Sequence, residues 1–210
     1  MRAETFFSND DNEMISGAVR EVEKKTSGEI AVMVVDRSDI YPEGRILAGV
    51  VAGSFFALIV VDLFLASSLW WFVILALGLG FLCGWLVDYL PAVKRIFTPV
   101  ARLETRVKER AVAAFYENGL YKTRDETGVL FFISLFERKV WVLADEGIYK
   151  KIKPEILQAY ARSVALGIKS GTAAGALCRE IRNVGEILAE HFPIKTDDTN
   201  ELADEVIVGK

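Results

Sequence analysis

The run from Ile46 to Leu90, "ILAGVVAGSFFALIVVDLFLASSLWWFVILALGLGFLCGWLVDYL", holds two charged residues, Asp62 and Asp88, in about 45 positions. No other feature of the sequence limits the fold so strongly. One helical span of a bilayer takes roughly 20 apolar residues, so the run divides into two spans, 46–66 and 69–90, with Ser67 and Ser68 at the turn. A core helix of a soluble protein is the competing reading, but two successive spans without a lysine or arginine favour lipid. Trp70 and Trp71 beside the turn, and Trp85 and Tyr89 at the far end, suit the two interfacial belts. Gly49 with Gly53, and Gly80 with Gly84, are small-xxx-small pairs that let helices approach closely. They serve packing within the hairpin or a homo-oligomer formed through it.

The basic residues set the expected orientation. Lys24, Lys25, Arg37 and Arg45 precede the hairpin, and Lys94, Arg95, Arg102, Arg106, Lys108 and Arg110 follow it, while the turn has none. The positive-inside rule places both flanks and both termini in the cytoplasm, the serine turn outside, and the protein in the inner (cytoplasmic) membrane with two spans. The opening "MRAETFFSNDDNEM" lacks the apolar stretch of a signal peptide, so the first span directs insertion. Asp62 and Asp88 read as interfacial. A net charge of -4 offers no concentrated basic face for phosphate, which argues against nucleic acid as a partner. Cys83 and Cys178 lie far apart in apolar surroundings and match no zinc spacing.

The remaining chain reads as one discontinuous domain, 1–44 and 95–192, followed by an acidic and mostly flexible tail, 193–210. Ser8 and Asp11 resemble a capping box ahead of a helix with Ile15, Ala18, Val19 and Val22 on one face. "GEIAVMVVD", Gly28 to Asp36, is a buried strand by its β-branched run. Thr98 is expected to cap a second helix, with Pro99 in its first position and Asn118 and Gly119 at its end. "GVLFFISLF" and "RKVWVLAD" form an antiparallel pair across a short "ERK" turn, and the first two strands are parallel. Pro154 opens a helix to about Leu166. A last helix runs from near Thr172 to His191, where the histidine acts as a helix-end cation. The fold class is α/β: a small mixed sheet in an α/β/α sandwich, interrupted by an inserted two-helix transmembrane hairpin.

These strand directions bring acids together. Asp125 and Glu126 precede the second strand, Asp145 and Glu146 follow the third, and Glu29 starts the first, so all share one end of the sheet. Asp36 and the "ERK" turn fall at the other end. Clustered carboxylates are hard oxygen ligands suited to Ca2+ or Mg2+. They also repel one another, and so bind a cation, rise in pKa, or pair with bases such as Lys24, Lys25, Lys150 and Lys151. A divalent-cation site at Glu29, Asp125, Asp145 and Glu146 therefore stands beside a second reading, in which the same acids are strand and helix caps. No catalytic residue is assigned, because a second histidine, a reactive cysteine setting and a glycine-rich phosphate loop are all missing from the sequence.

The order helix, "TSGEIAVMVVD", helix, "TGVLFFISLFERKVWVLADEGI", then two helices resembles the TPM domain family, and the resemblance covers nearly all of the chain outside the hairpin. "TSGEIAV" and the "HFP…NEL" ending are most similar to a bacterial subgroup of membrane or cytosolic proteins. The resemblance implies a TPM-like α/β/α domain, calcium binding or weak acid phosphatase activity in some members, and accessory, assembly or repair roles in others. Where many members carry an acid before the last helix, this chain reads Lys169, Ser170, Gly171. The expected function is a non-enzymatic binding, assembly or accessory module for a membrane complex. Its partners are the lipid bilayer and a membrane protein. The alternative is a weak divalent-metal-dependent phosphatase.

Overall fold

The computed structural model describes residues 2–65, 68–195 and 201–209. Among these, the chain forms helices α1 (Asn9–Glu23), α2 (Pro42–Phe64), α3 (Leu69–Val87), α4 (Pro91–Ile96), α5 (Val100–Glu117), α6 (Glu146–Tyr149), α7 (Pro154–Ser170) and α8 (Ala173–His191). Its strands are β1 (Glu29–Val35), β2 (Gly128–Ser134), β3 (Lys139–Ala144) and β4 (Ile207–Gly209). They make one mixed sheet in the order β3-β2-β1-β4. The chain divides into two units, Met1–Ser38 with Thr105–Lys210, and Asp39–Glu104.

The first unit is α/β. In β1, Ile30, Val32 and Val34 join Val129, Phe131 and Ile133 of β2 in a core closed by α1, α7 and α8. The alternate residues Ala31, Met33, Leu130 and Phe132 face the opposite side, where Val107, Ala111, Ala114 and Phe115 of α5 cover them. Alternation in β1 and β2 thus feeds both faces of the sheet, and these two strands are buried at every position, whereas β3 is buried on one face and half-buried on the other. Ser8 caps α1 in a reciprocal box with Asp11, as its spacing implies.

β1 and β2 are parallel with Glu29 opposite Gly128, and β2 and β3 are antiparallel with Val129 opposite Ala144. The segment read as a mostly flexible tail contributes β4, which runs parallel to β1 with Met33 opposite Ile207. Three residues are too short a run for alternation to reveal, and the pairing spans most of the chain. α7 extends four residues past Leu166 to a left-handed cap at Gly171.

The second unit holds two helices long and apolar enough to cross a membrane, α2 and α3. They cover 42–64 and 69–87 in place of 46–66 and 69–90, because Pro42 starts the first helix early and Asp88 caps the second. Ser68 precedes α3, whereas Ser67 lies outside the described residues. Gly49 and Gly53 of α2 face Gly80 and Gly84 of α3 backbone to backbone. Bulky side chains turn outward, with Phe81 82% and Trp70 81% exposed. Thr98, expected at the start of α5, is bonded back to α4. Its hydroxyl donates to the Lys94 carbonyl at 2.9 Å and completes α4, while the Pro99 carbonyl accepts the first α5 bond from Leu103.

Candidate functional site

The acids of the first unit do converge on one end of the sheet. The Glu29 N–H donates to the Thr127 carbonyl at 3.2 Å, and the Asp145 N–H donates to the Gly128 carbonyl at 2.9 Å. Those two bonds tie the start of β1, the start of β2 and the end of β3 together. Asp36 lies at the opposite end, where its carbonyl accepts from the Phe136 N–H at 2.9 Å. Gly147 allows the close approach of the acidic loop, since a Cβ there would stand 2.6 Å from the Glu126 carbonyl oxygen and 2.9 Å from that of Asp125.

Sharing an end does not make the carboxylates share a centre. Lys195 holds both oxygens of Asp125, at 2.6 and 2.7 Å. Lys150 stands 3.2 Å from Glu146 and 3.7 Å from Glu126. A hydrogen bond and charge attraction from Glu146, with a smaller contribution from Glu126, hold the Lys150 ammonium above the usual lysine range. Asp145 caps α6, its Oδ1 accepting from the Glu146 N–H at 2.8 Å, while its Oδ2 is buried with no hydrogen-bond partner among the described residues. Glu29 is 6% exposed and turns its Oε1 to the Glu201 N–H at 3.1 Å. Among the described residues, no three side chains of His, Cys, Asp and Glu stand close enough to hold one metal ion.

Lys150 was legible as a candidate partner, but Lys195 was not. It follows Pro193, and the chain there is fastened to the start of β1: Thr26 and Ser27 both donate to the Phe192 carbonyl, at 2.6 and 3.0 Å. That fastening depends on distant backbone groups which no local pattern announces. Residues 201–209 also contribute. The Arg20 Nε meets Asp204 at 2.9 Å, and the Arg124 N–H donates to Glu201 at 3.2 Å. Asn200 lies outside the described residues, and Leu202 packs against the α5 side of the sheet.

An acid that sequence reading passed over, Glu23, closes this arrangement at the end of α1. Its Oε1 accepts from the Ile30 N–H at 3.2 Å. Burial, with the charges of Glu29 and Asp204 nearby, outweighs that bond and pushes its carboxyl up from 4.5 to about 8. A folded-state pKa above the unfolded one means that folding favours the proton. The associated stability is fully present below about pH 4.5 and is lost as pH rises through about 8. Glu23→Gln, which stays neutral, is expected to flatten the fall of the unfolding midpoint between pH 5 and pH 9. An unchanged fall in the variant would put the titrating group elsewhere.

A cavity of about 340 Å³ lies between the amino-terminal segment and the α7–α8 junction, lined by Phe6, Phe7, Met14 and Ile168 with Arg2 and Thr172. Lys169 and Ser170 lie beside it at the end of α7.

The fold is similar to that of the BA42 protein from the psychrophilic bacterium Bizionia argentinensis, determined by NMR, at 20% identity. The match covers 98% of this chain and 97% of that one, with a TM-score of 0.61. At such identity the likeness is one of fold. No family model and no curated protein sequence matches the chain.

Proposed function

We propose that this chain is a membrane-anchored, TPM-like module of the inner membrane that binds and steadies a membrane-protein complex without catalysing a reaction. The observation that carries the reading is the hairpin. α2 and α3 pack Gly49 and Gly53 against Gly80 and Gly84 and turn Phe55, Leu63, Trp70, Leu77 and Phe81 outward. So large an outward apolar surface is costly in water and stable in lipid. The basic flanks favour a cytoplasmic α/β unit, and the resemblance to TPM domains supports an accessory role. The lysines on Asp125, Glu126 and Glu146 support the reading of those acids as structural ion pairs.

One observation favours the second reading, a weak Ca2+- or Mg2+-dependent phosphatase: the buried Asp145 Oδ2 has capacity for a further ligand. Glu29, Asp125 and Glu146 would have to exchange their present partners to join it. One experiment separates the two. Ca2+ and Mg2+ are titrated into the full chain in detergent micelles, followed by phosphate release from an aryl phosphate for the chain and for the triple variant Glu29→Gln, Asp125→Asn, Asp145→Asn. The module reading expects no cation-dependent turnover above the triple variant, together with retention of the wild-type chain in membranes washed with alkaline carbonate. Turnover that needs the cation and disappears in the triple variant overturns it.

A further inference from the structure

The hairpin does not end at α3. Asp88, Tyr89 and Leu90 turn the chain into α4, and Phe97 to Pro99 turn it again into α5. This elbow is fixed to the base of the hairpin in two ways. Gly44 of α2 packs against the Thr98 hydroxyl and the Lys94 carbonyl so closely that a Cβ at Gly44 would lie 2.8 Å from that carbonyl oxygen. Asp88 holds Lys94 at 2.9 Å and Arg45 at 3.3 Å.

The ion pairs matter because they consume most of the positive charge that the sequence places here. Lys94 and Arg45 are committed to Asp88, and Arg102 to Glu43 at 2.9 Å and Asp39 at 3.7 Å. Arg95 remains, half-buried on α4, with no acid on its guanidinium among the described residues. Beside it the elbow is apolar and outward: Tyr89, Leu90, Ile96 and Val100 are all exposed, Ile96 to 79%. Trp85 and Tyr89 meet edge to face at 5.3 Å at the foot of α3, where an aromatic belt marks the headgroup level. A short rigid helix that follows a span at this level, apolar outward and with one uncommitted guanidinium, suits the plane between acyl chains and phosphates.

We infer that α4 lies in the headgroup layer as an interfacial elbow and that Arg95 binds the phosphate of an anionic phospholipid there. The partner is a lipid surface, chosen over a soluble anion because the apolar residues around Arg95 need burial at the same time. The inference rests on the proposed membrane anchoring and adds to it a lipid preference and the residue responsible. A planar guanidinium takes two phosphate oxygens at once, which suits Arg95 to a phosphodiester.

The test uses the full chain with Cys83→Ser, Cys178→Ser and Ile96→Cys, labelled with a fluorophore and reconstituted in phosphatidylcholine vesicles. These contain a trace of headgroup-spin-labelled phosphatidylglycerol or phosphatidylcholine. The anionic quencher is expected to act about fivefold more strongly than the neutral one. Arg95→Gln removes that difference, and Arg95→Lys keeps most of it. Equal quenching by the two lipids, or the same preference in Arg95→Gln, overturns the assignment of Arg95. No quenching by either lipid in a chain that resists carbonate extraction overturns the interfacial placement of α4. A chain that carbonate extracts overturns the membrane anchoring itself, and this inference with it.

Discussion

Gly53→Leu separates α2 from α3, and the expected result is a fall in hairpin stability on the order of 1–3 kcal/mol or more, the range of overpacked contacts that cannot relax. The reason is the identity of the obstacle. A Cβ at Gly53 would overlap the backbone nitrogen and Cα of Gly80 and lie 2.8 Å from the Leu79 carbonyl carbon. A side chain can rotate away, but the backbone of a helix moves only when the whole helix moves. Gly49 meets a similar wall, with Gly80 O at 2.6 Å and Gly84 Cα at 2.9 Å. Gly78 supplies the control, because nothing lies within 4 Å of its would-be Cβ. Gly78→Leu therefore leaves the pairing alone. The two variants are compared by thermal unfolding in detergent micelles, read from helical circular dichroism and from protease access to the turn. Equal midpoints for Gly53→Leu and Gly78→Leu would show that glycine contact does not hold the pair. In lipid the contrast should persist, since helices there associate through close packing and not through escape from water.

The contrast between these glycines also marks how far the sequence was legible. A 45-residue apolar run states its own helices, and the spacing of Gly49 and Gly53 puts both on one face. The same spacing selects Gly80 with Gly84 and leaves Gly78 on the other side of its helix, but it does not say whether the two pairs meet each other within one hairpin or meet a second copy. The sheet behaves in the same way. Alternating β-branched and aromatic residues announce β1, β2 and β3, and connection rules set their directions, which suffices to bring Glu29, Asp125 and Asp145 to one end. Strand direction carries no side-chain partner. Whether Asp125 met a cation or Lys195 depended on where the chain beyond Pro193 returns, and that return is fixed by Thr26 and Ser27 binding one distant carbonyl. β4 escaped notice for the same reason. Three residues gain a strand's identity from the edge of β1 they meet, not from their own pattern.

Gly147→Ala is expected to disturb the acidic end more than removal of any one of its surface ion pairs. The Asp125–Lys195 pair is half open to water, and such a pair contributes about 0–1 kcal/mol, so its loss is nearly silent. The backbone contact under it is different. A Cβ at Gly147 would meet the carbonyl oxygens of Glu126 at 2.6 Å and Asp125 at 2.9 Å, and the carbonyl carbon of Glu126 at 3.3 Å. The loop has little room to retreat. The Glu126 N–H donates to the Thr123 carbonyl at 3.1 Å, the Thr127 N–H to the Thr123 hydroxyl at 3.0 Å, and the Thr127 hydroxyl to the Ser27 carbonyl at 3.0 Å. Glu126 already sits at a positive φ of 56°. On the other side, the chain before Gly147 is held by the Asp145 N–H on the Gly128 carbonyl. The clash should cost roughly 1–3 kcal/mol, offset by at most about 1 kcal/mol of improved helix propensity. At about 2–4 °C per kcal/mol for a chain of this size, the unfolding midpoint falls by several degrees. Gly175→Ala, in the first turn of α8 with nothing within 4 Å, isolates the propensity gain and should hold or raise the midpoint. If Gly147→Ala unfolds with the wild type while Asp125→Asn lowers the midpoint, then ion pairing and not backbone contact holds the acids in place, and the end of the sheet is softer than its hydrogen bonds imply.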